Sequence, residues 1–333
     1  MSTSTFRVED VPGVAEVAVR LAKPLFTGDL SHYPTLTTTV PKEFVHRAAV
    51  AEVMLTGWED KGDRGGRGDR RFEVTAQWPR SHSFFTPTPD NRHDPLIVAE
   101  TIRQAGLLLS HAELGVPLAH RFLMGDLSFT AQPSGLLVGD APAAVSMDVV
   151  CKNIKWRGSI PSEVRFETVI RRDGRIIATG SAFCTYTSPA VYRRLRGNGL
   201  AAAQRPLPLT APVPPQSVGR MSPIDVVLSP LNELDCWQLR VNTRHPVLFD
   251  HPVDHVPGML LLEAARQAAA AFLGGDCLPV GMTSEFTRFA ELDEPCLIQI
   301  CVLPGTADGR EHLLVTGRQR GETVFTSTVV AAA

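Results

Sequence analysis

Two stretches of the chain are apolar on almost every side of a helical wheel. Residues 95–113 read PLIVAETIRQAGLLLSHAE and residues 257–273 read PGMLLLEAARQAAAAFL. Each opens on proline, whose missing N–H costs nothing in a first helical turn. Neither keeps a continuous polar face, so the pattern predicts helices buried on nearly every side rather than amphipathic surface helices. Around them the pattern changes to short runs bounded by turn residues, the signature of strands. Strands are predicted at 47–55 and 72–77 before the first helix, and at 142–152, 163–171 and 175–187 after it, with Arg172-Asp173-Gly174 as a hairpin turn. The order then returns: 220–228, 237–242, the second helix, and 295–303, 311–318 and 322–331 around Arg320-Gly321. The segment from Arg47 to Leu55 resembles that from Arg220 to Leu228.

The recurrence extends to polar residues. His82, Glu100, Arg103, Gln104 and Ala105 return as His245, Glu263, Arg266, Gln267 and Ala268, all 163 positions later, with Pro89 on Pro252 in the same register. His, Glu, Arg and Gln are a poor set to repeat by accident in apolar surroundings, so the chain reads as two copies of one unit. A strand-rich unit with one long helix is an antiparallel α+β domain. A helix apolar all round is satisfied when its own sheet wraps it, which is the hot-dog arrangement. The expected fold is therefore α+β: two hot-dog domains, each a long buried helix wrapped by antiparallel sheet, forming an intramolecular double hot dog. The domains are expected at 1–187 and 218–333. Between them, 188–217 is rich in Pro, Ala and Arg without apolar periodicity and reads as an exposed, partly extended linker. The basic stretch KGDRGGRGDRR (61–71) reads as a solvated hairpin insertion.

Composition narrows the class. At 333 residues the chain is long enough for two domains, and 44% apolar with 20% charged residues is ordinary for a globular protein. A net charge of −2 gives no reason to expect nucleic acid or an anionic membrane as partner. The start MSTSTFRVED lacks the basic and apolar regions of a secretory signal, and the six cysteines are scattered without a CxxC pair. Reduced thiols in a cytoplasmic protein are expected.

Glu263, Arg266 and Gln267 are the only polar side chains between Met259 and Leu273, and their spacing puts them on one helical face. Glu100, Arg103 and Gln104 do the same in the first helix. A buried carboxylate needs pairing, hydrogen bonds or a proton. Two readings stay open: a structural Glu–Arg pair, or a carboxylate tuned for general acid–base work. Just ahead of the second helix, Asp250, His251, Asp254 and His255 lie within six residues, followed by Pro257-Gly258. His93-Asp94-Pro95 stands in the matching place, downstream of Arg80 and His82. A helix start supplies unpaired N–H groups able to hold a developing oxyanion. A metal site is the rival reading of the His/Asp cluster, but no HxxxH on a helix and no HxH supports it, so no metal and no cofactor are expected. GxSxG and Walker A patterns are absent.

At these residues the sequence resembles the A-factor biosynthesis family, the γ-butyrolactone autoregulator synthases of actinomycetes. The carrying stretches are KEFVHRAAVAEVMLTGW (42–58), AQWPRSHSFF (76–85), HDPLIVAETIRQAGLLLSHAELGVPL (93–118) and FDHPVDHVPGMLLLEAARQAA (249–269). The second copy also resembles the helix start of hot-dog β-hydroxyacyl-carrier-protein dehydratases, although His251 stands twelve residues before Glu263, closer than that family's usual spacing. The first resemblance implies transfer of a β-ketoacyl group from an acyl carrier protein (or CoA) thioester to the hydroxyl of dihydroxyacetone phosphate, feeding a butyrolactone-type signal. It makes Glu263 the expected base with His251 or Asp254 as partner, and Glu100 with His82 the pseudo-equivalent pair. Arg266, Gln267, Arg103, Gln104, Arg80, His255, His93 and Gly258 are the expected substrate-binding residues, with Arg266 as orienter or phosphate clamp. On that assignment Glu263→Gln abolishes ester formation and leaves the fold intact. Two alternatives remain, a hot-dog thioesterase or dehydratase and a non-catalytic acyl-binding module. Further oligomerisation is left open.

Overall fold

The computed structural model describes residues 37–63, 68–275, 277–304 and 310–331. The chain divides into two compact units, Met1–Thr38 and Thr39–Ala333, and the first lies almost wholly outside the described residues. The second unit holds one antiparallel sheet. Its first half comprises β1 (Leu55–Asp63), β2 (Arg70–Trp78), helix α1 (Leu96–Ala112), β3 (Arg121–Ala131), β4 (Ala143–Arg157), β5 (Ile160–Arg172) and β6 (Arg175–Thr187). Helix α2 (Pro189–Arg196) follows. The second half comprises β7 (Leu228–Pro230), β8 (Cys236–Leu239), helix α3 (Gly258–Leu273), β9 (Pro279–Phe286), β10 (Leu297–Val302), β11 (Glu311–Gln319) and β12 (Glu322–Ala331).

Strand order is β1-β2-β4-β5-β6-β3-β9-β12-β11-β10-β8-β7, so each half repeats the same order and the halves meet edge to edge. The seam is the β3–β9 ladder, from Asp126 opposite Glu285 to Thr130 opposite Gly281. Pairing there removes what would otherwise be two open edges. Serine pairs brace each side of the seam, Ser128 with Ser181 at 3.0 Å and Ser284 with Ser327 at 2.8 Å. Asp173-Gly174 and Arg320-Gly321 turn the β5–β6 and β11–β12 hairpins with positive φ at both positions, the twist that two-residue hairpin loops require.

Both long helices are buried as their sequences demand. In α1 only Arg103 and Ala112 are partly exposed, and in α3 everything from Met259 to Ala270 is buried. Trp78 Nε1 donates to Thr101 Oγ1 at 2.9 Å and pins α1 to β2. Gly274, at φ 88°, ends α3 in the left-handed conformation that glycine adopts most easily.

Two expectations need correction. The segments 47–55 and 220–228 are not strands for most of their length. Residues Lys42–Val45, Val50–Glu52 and Pro215–Val218 form 3₁₀ turns, and β1 and β7 begin only at Leu55 and Leu228. Arg47 and Arg220 are turned inward to reach the helices instead of alternating across a sheet. The stretch 188–217 is not simply an extended, exposed tether, because α2 starts it, with Ser188 as N-cap and Tyr192 and Arg196 buried. Of the basic stretch 61–71, the ends belong to β1 and β2, and 64–67 lie outside the described residues. No helix among the described residues is long and apolar enough to cross a membrane.

Candidate active site

The repeated Glu, Arg and Gln build two matched knots. Glu263 is fully buried and takes both arms of two guanidinium groups. Arg220 donates from Nε (2.7 Å) and Nη2 (2.6 Å), and Arg266 from Nε (2.9 Å) and Nη2 (2.7 Å). Gln267 Nε2 adds a bond at 2.5 Å, while its Oε1 accepts from Val227 N at 2.9 Å. Glu100 is held in the same way by Arg47 (Nη2 to Oε1, 2.6 Å), Arg103 (2.7 and 2.8 Å) and Gln104 (2.6 Å), with Met54 N on Gln104 Oε1 at 2.9 Å. The knots also tie the halves together: Arg47 Nη1 donates to Val247 O at 3.0 Å and Arg220 Nη1 to Phe84 O at 2.7 Å. Each carboxylate oxygen thus has at least one charge-assisted partner to offset its burial.

The repeated histidines are also matched in their bonding. His82 Nδ1 accepts from Phe84 N and Phe85 N at 3.1 Å, and its Nε2 faces Glu52 at 3.4 Å. His245 repeats this with Val247 N, Leu248 N and Asp225. His93 is buried edge-on to Trp78, and burial, with Arg172 nearby, pushes it down to about 4. Arg80 is exposed on the surface.

Burial opposes ionisation of both glutamates, but Arg103 and Arg47 at one knot, and Arg220 and Arg266 at the other, outweigh it and hold each carboxyl at about 2 rather than 4.5. A folded-state value below the unfolded one gives stability that is complete above about pH 4.5 and is lost as pH falls toward about 2. An acid titration followed by circular dichroism is therefore expected to show stability falling across that window. A flat stability from pH 4.5 to pH 2 would contradict the ion-paired state of the knots.

A cavity of about 780 Å³ lies between the halves, and neither glutamate lines it. One wall comes from the first half: His46, Arg47 and Arg103, with Leu107, Met124 and Phe166 beyond them. The other comes from the loop ahead of α3 and its first turn: Asp250, His251, His255, Gly258, Met259 and Leu262. His255 is the best-oriented of these. Its Nδ1 bonds Asp254 Oδ1 at 2.8 Å, and its ring packs edge-on to Phe289. Asp254 is fixed in turn by Tyr192 Oη (2.8 and 2.9 Å) and Arg196 Nε (3.0 Å), both from α2. Arg196 also grips Glu291 with both Nη atoms at 2.6 and 2.8 Å. Burial works against the charged form of Asp254, yet the bonds from His255, Tyr192 and Arg196 keep it well below the usual carboxylate range. His255 Nδ1 therefore donates to the carboxylate, and in the neutral ring Nε2 is the nitrogen that can accept. His251 is half exposed, 3.7 Å from Asp250, whose carboxylate is occupied by Ala48 N and Ala49 N.

The two helix starts differ. At α1, Leu96 N bonds Asp94 Oδ1 at 2.9 Å and Ile97 N bonds Asp94 O. At α3, Pro257 stands in the place of Asp94 and offers no side-chain cap, and Leu260 N and Leu261 N bond Pro257 O. Gly258 and Met259 line the cavity, and their backbone amides have no acceptor among the described residues. A Cβ on Gly258 would sit 3.3 Å from the Phe286 ring, so glycine keeps this approach open.

Of the residues predicted from the sequence, His251, His255, Gly258 and Arg103 meet at the cavity and Asp254 braces one of them. Glu263, Glu100, Arg266, Gln267, Gln104, His82, His93 and Arg80 do not line it. Glu263, the expected base, and Arg266, the expected phosphate clamp, are both buried and bonded to each other, with Arg220 and Gln267 also on Glu263 and Val218 O accepting from Arg266. Sequence reasoning missed Arg47, Arg220, Asp250 as an amide anchor, and the Tyr192–Arg196 brace. The resembling heads of 47–55 and 220–228 were the available signal for the two arginines.

Two copies of one strand order, each around a buried helix, with a composite cavity between them, define a double hot-dog protein. The A-factor biosynthesis hotdog domain matches residues 28–188 and 201–332. The chain belongs to the A-factor biosynthesis hotdog family. It is similar to the 2-oxo-3-(phosphooxy)propyl 3-oxoalkanoate synthase of Streptomyces virginiae, 51% identical over 296 residues (88% of this chain, 98% of that protein). The synthase of the same name from Streptomyces coelicolor is 46% identical over 291 residues, covering 87% of this chain and 90% of that protein. Among solved structures, a 12:0-ACP thioesterase from Umbellularia californica superposes with a TM-score of 0.48 at 12% identity, covering 78% of this chain and 94% of its own.

Proposed function

We propose that this chain joins a 3-oxoacyl group, delivered as a thioester of an acyl carrier protein or CoA, to the free hydroxyl of dihydroxyacetone phosphate. The product is the 2-oxo-3-(phosphooxy)propyl 3-oxoalkanoate for which the relatives are named, a precursor of a butyrolactone-type signal. Those names give the ester product; the thioester donor is what the family resemblance implies. In this chain the reading rests on one observation: an Asp254-braced His255 lines the same cavity as Gly258 and Met259, the uncapped first residues of α3. The proposed division into domains 1–187 and 218–333 fits this, each domain supplying one wall and 188–217 supplying the brace on Asp254.

His255 Nε2 takes the proton of the acceptor hydroxyl as that oxygen attacks the thioester carbonyl. The carbonyl electron pair moves onto its oxygen, and the oxyanion faces the amides of Gly258 and Met259 at the positive end of α3. Collapse breaks the C–S bond, and the departing sulfur receives the proton from His255. Leu107, Met124 and Phe166 line the space for the acyl chain. Arg103 lines the cavity with Nη1 unbonded among the described residues, a suitable partner for the acceptor's phosphate.

The test is product analysis. Incubation with a 3-oxoacyl thioester is expected to give a phosphate-bearing ester, seen by mass spectrometry, only when dihydroxyacetone phosphate is present. Free acid or enoyl thioester formed at the same rate without the acceptor would sink the reading.

A further inference from the structure

His46, on the first-half wall of the cavity, pairs with His111 behind it, and the second half has no such histidine pair in the matching places. His46 Nε2 lies 2.8 Å from His111 Nε2, and His111 Nδ1 lies 2.7 Å from Val116 O. A carbonyl can only accept, so His111 Nδ1 carries its proton. Burial favours the neutral form of both rings, lowering His46 to about 3, and in a neutral pair one Nε2 donates to the other. His111 Nε2 is then a lone pair, and His46 must donate to it from Nε2. That leaves His46 Nδ1 unprotonated, with no partner among the described residues, on a ring that lines the cavity. Phe122 packs against both rings, centroids 4.9 and 4.8 Å away, and fixes them.

Comparison of the halves says what the pair is not. His46 caps the 3₁₀ turn Lys42–Val45 at φ 52°, and Gly219 caps the equivalent turn Pro215–Val218 at φ 65°. Arg47 and Arg220 follow each cap and grip the matching glutamates. In the 163-residue register His111 corresponds to Gly274. The fold thus accepts glycine at the cap, where the left-handed backbone at 46 favours it, whereas His111 lies inside α1 and Gly274 is the left-handed cap beyond α3. A histidine held at 46 against backbone preference, with its partner, is explained by what its free nitrogen faces.

We propose that His46 contacts bound substrate, its Nδ1 accepting a hydrogen bond from a hydroxyl or an amide N–H, and that His111 is the positioning residue that fixes its tautomer. Two donors fit: the hydroxyl of the phosphorylated acceptor, or an amide of the pantetheine arm that carries the acyl group. The identity of these donors rests on the synthase reading; the polarity of the site does not.

The experiment compares wild type, His46→Gly and His111→Phe by thermal melting, by KM and kcat for each substrate, and by calorimetric binding of dihydroxyacetone phosphate and of a CoA thioester. His46→Gly is expected to melt at or above the wild-type temperature, because glycine relieves the left-handed position. Its KM and dissociation constant for one substrate should rise about tenfold, as loss of one hydrogen bond implies. A rise confined to the phosphorylated acceptor identifies the hydroxyl; one confined to the thioester identifies the amide. His111→Phe should raise the same constant, and if it does not, the tautomer argument fails. Equal dissociation constants for wild type and His46→Gly overturn the proposal. A wild type that binds both substrates but forms no ester would sink the synthase reading while leaving this comparison intact.

Discussion

Glu263→Gln is expected to lower folding stability by about 3–5 kcal/mol, the usual cost of breaking a buried ion pair by removing one partner. The substitution keeps the shape of the side chain but removes the only carboxylate bonded to both Arg220 and Arg266, which are themselves buried. Two guanidinium groups then remain in the core, with Phe84 O, Val218 O and the more distant Asp94 as their remaining partners. The new amide would also present its NH₂ to donors. Glu100→Gln is expected to lose less, because Arg47 and Arg103 line the cavity and can draw water. Urea unfolding of wild type and both variants checks this. A Glu263→Gln protein as stable as wild type but unable to form ester would restore the glutamate to catalysis.

The helices, their burial and the matched Glu, Arg and Gln were legible because each depends on local spacing along one element. The architecture was legible for the same reason: a helix with no polar face admits few surroundings. What stayed hidden depends on segments distant in sequence. Arg47 and Arg220 lie outside the 163-residue register, since the stretch from Glu52 to His82 is ten residues longer than that from Asp225 to His245. The longer β1–β2 hairpin absorbs the difference. The strands that join the halves were not delimited either. β3 carries a bulge at Gly125 that breaks its alternation, and β9 opens on four buried residues in a row. The Asp254 brace comes from a stretch whose composition reads as linker, and only the fold brings Tyr192 and Arg196 to it. The cavity residues that gather around His255 are split between the halves, so no single motif contains them.

His255→Asn should reduce kcat by about 10²- to 10⁴-fold, the span typical for loss of a positioned general base, while the melting temperature stays close to wild type. The stability expectation follows from the network: Asp254 keeps Tyr192 and Arg196 without the imidazole, and Arg196 keeps Glu291. The rate expectation follows from polarity. Asparagine can still bond Asp254, but its amide has no lone pair basic enough to take a hydroxyl proton, so substrates bind and the proton has nowhere to go. Asp254→Asn should separate orientation from basicity. It leaves the imidazole in place with a weaker hold on its tautomer and takes the charge from beneath Arg196, so it should cost both rate and stability. His251→Asn is the control on the same loop; its ring is half exposed and 3.7 Å from a carboxylate already bonded to two amides, so a small change is expected. Single-turnover rates with saturating substrates decide between these. Wild-type turnover in His255→Asn, or a larger loss in His251→Asn, would move the base from the braced imidazole to the exposed one, and the catalytic role of the α2 brace would fall with it.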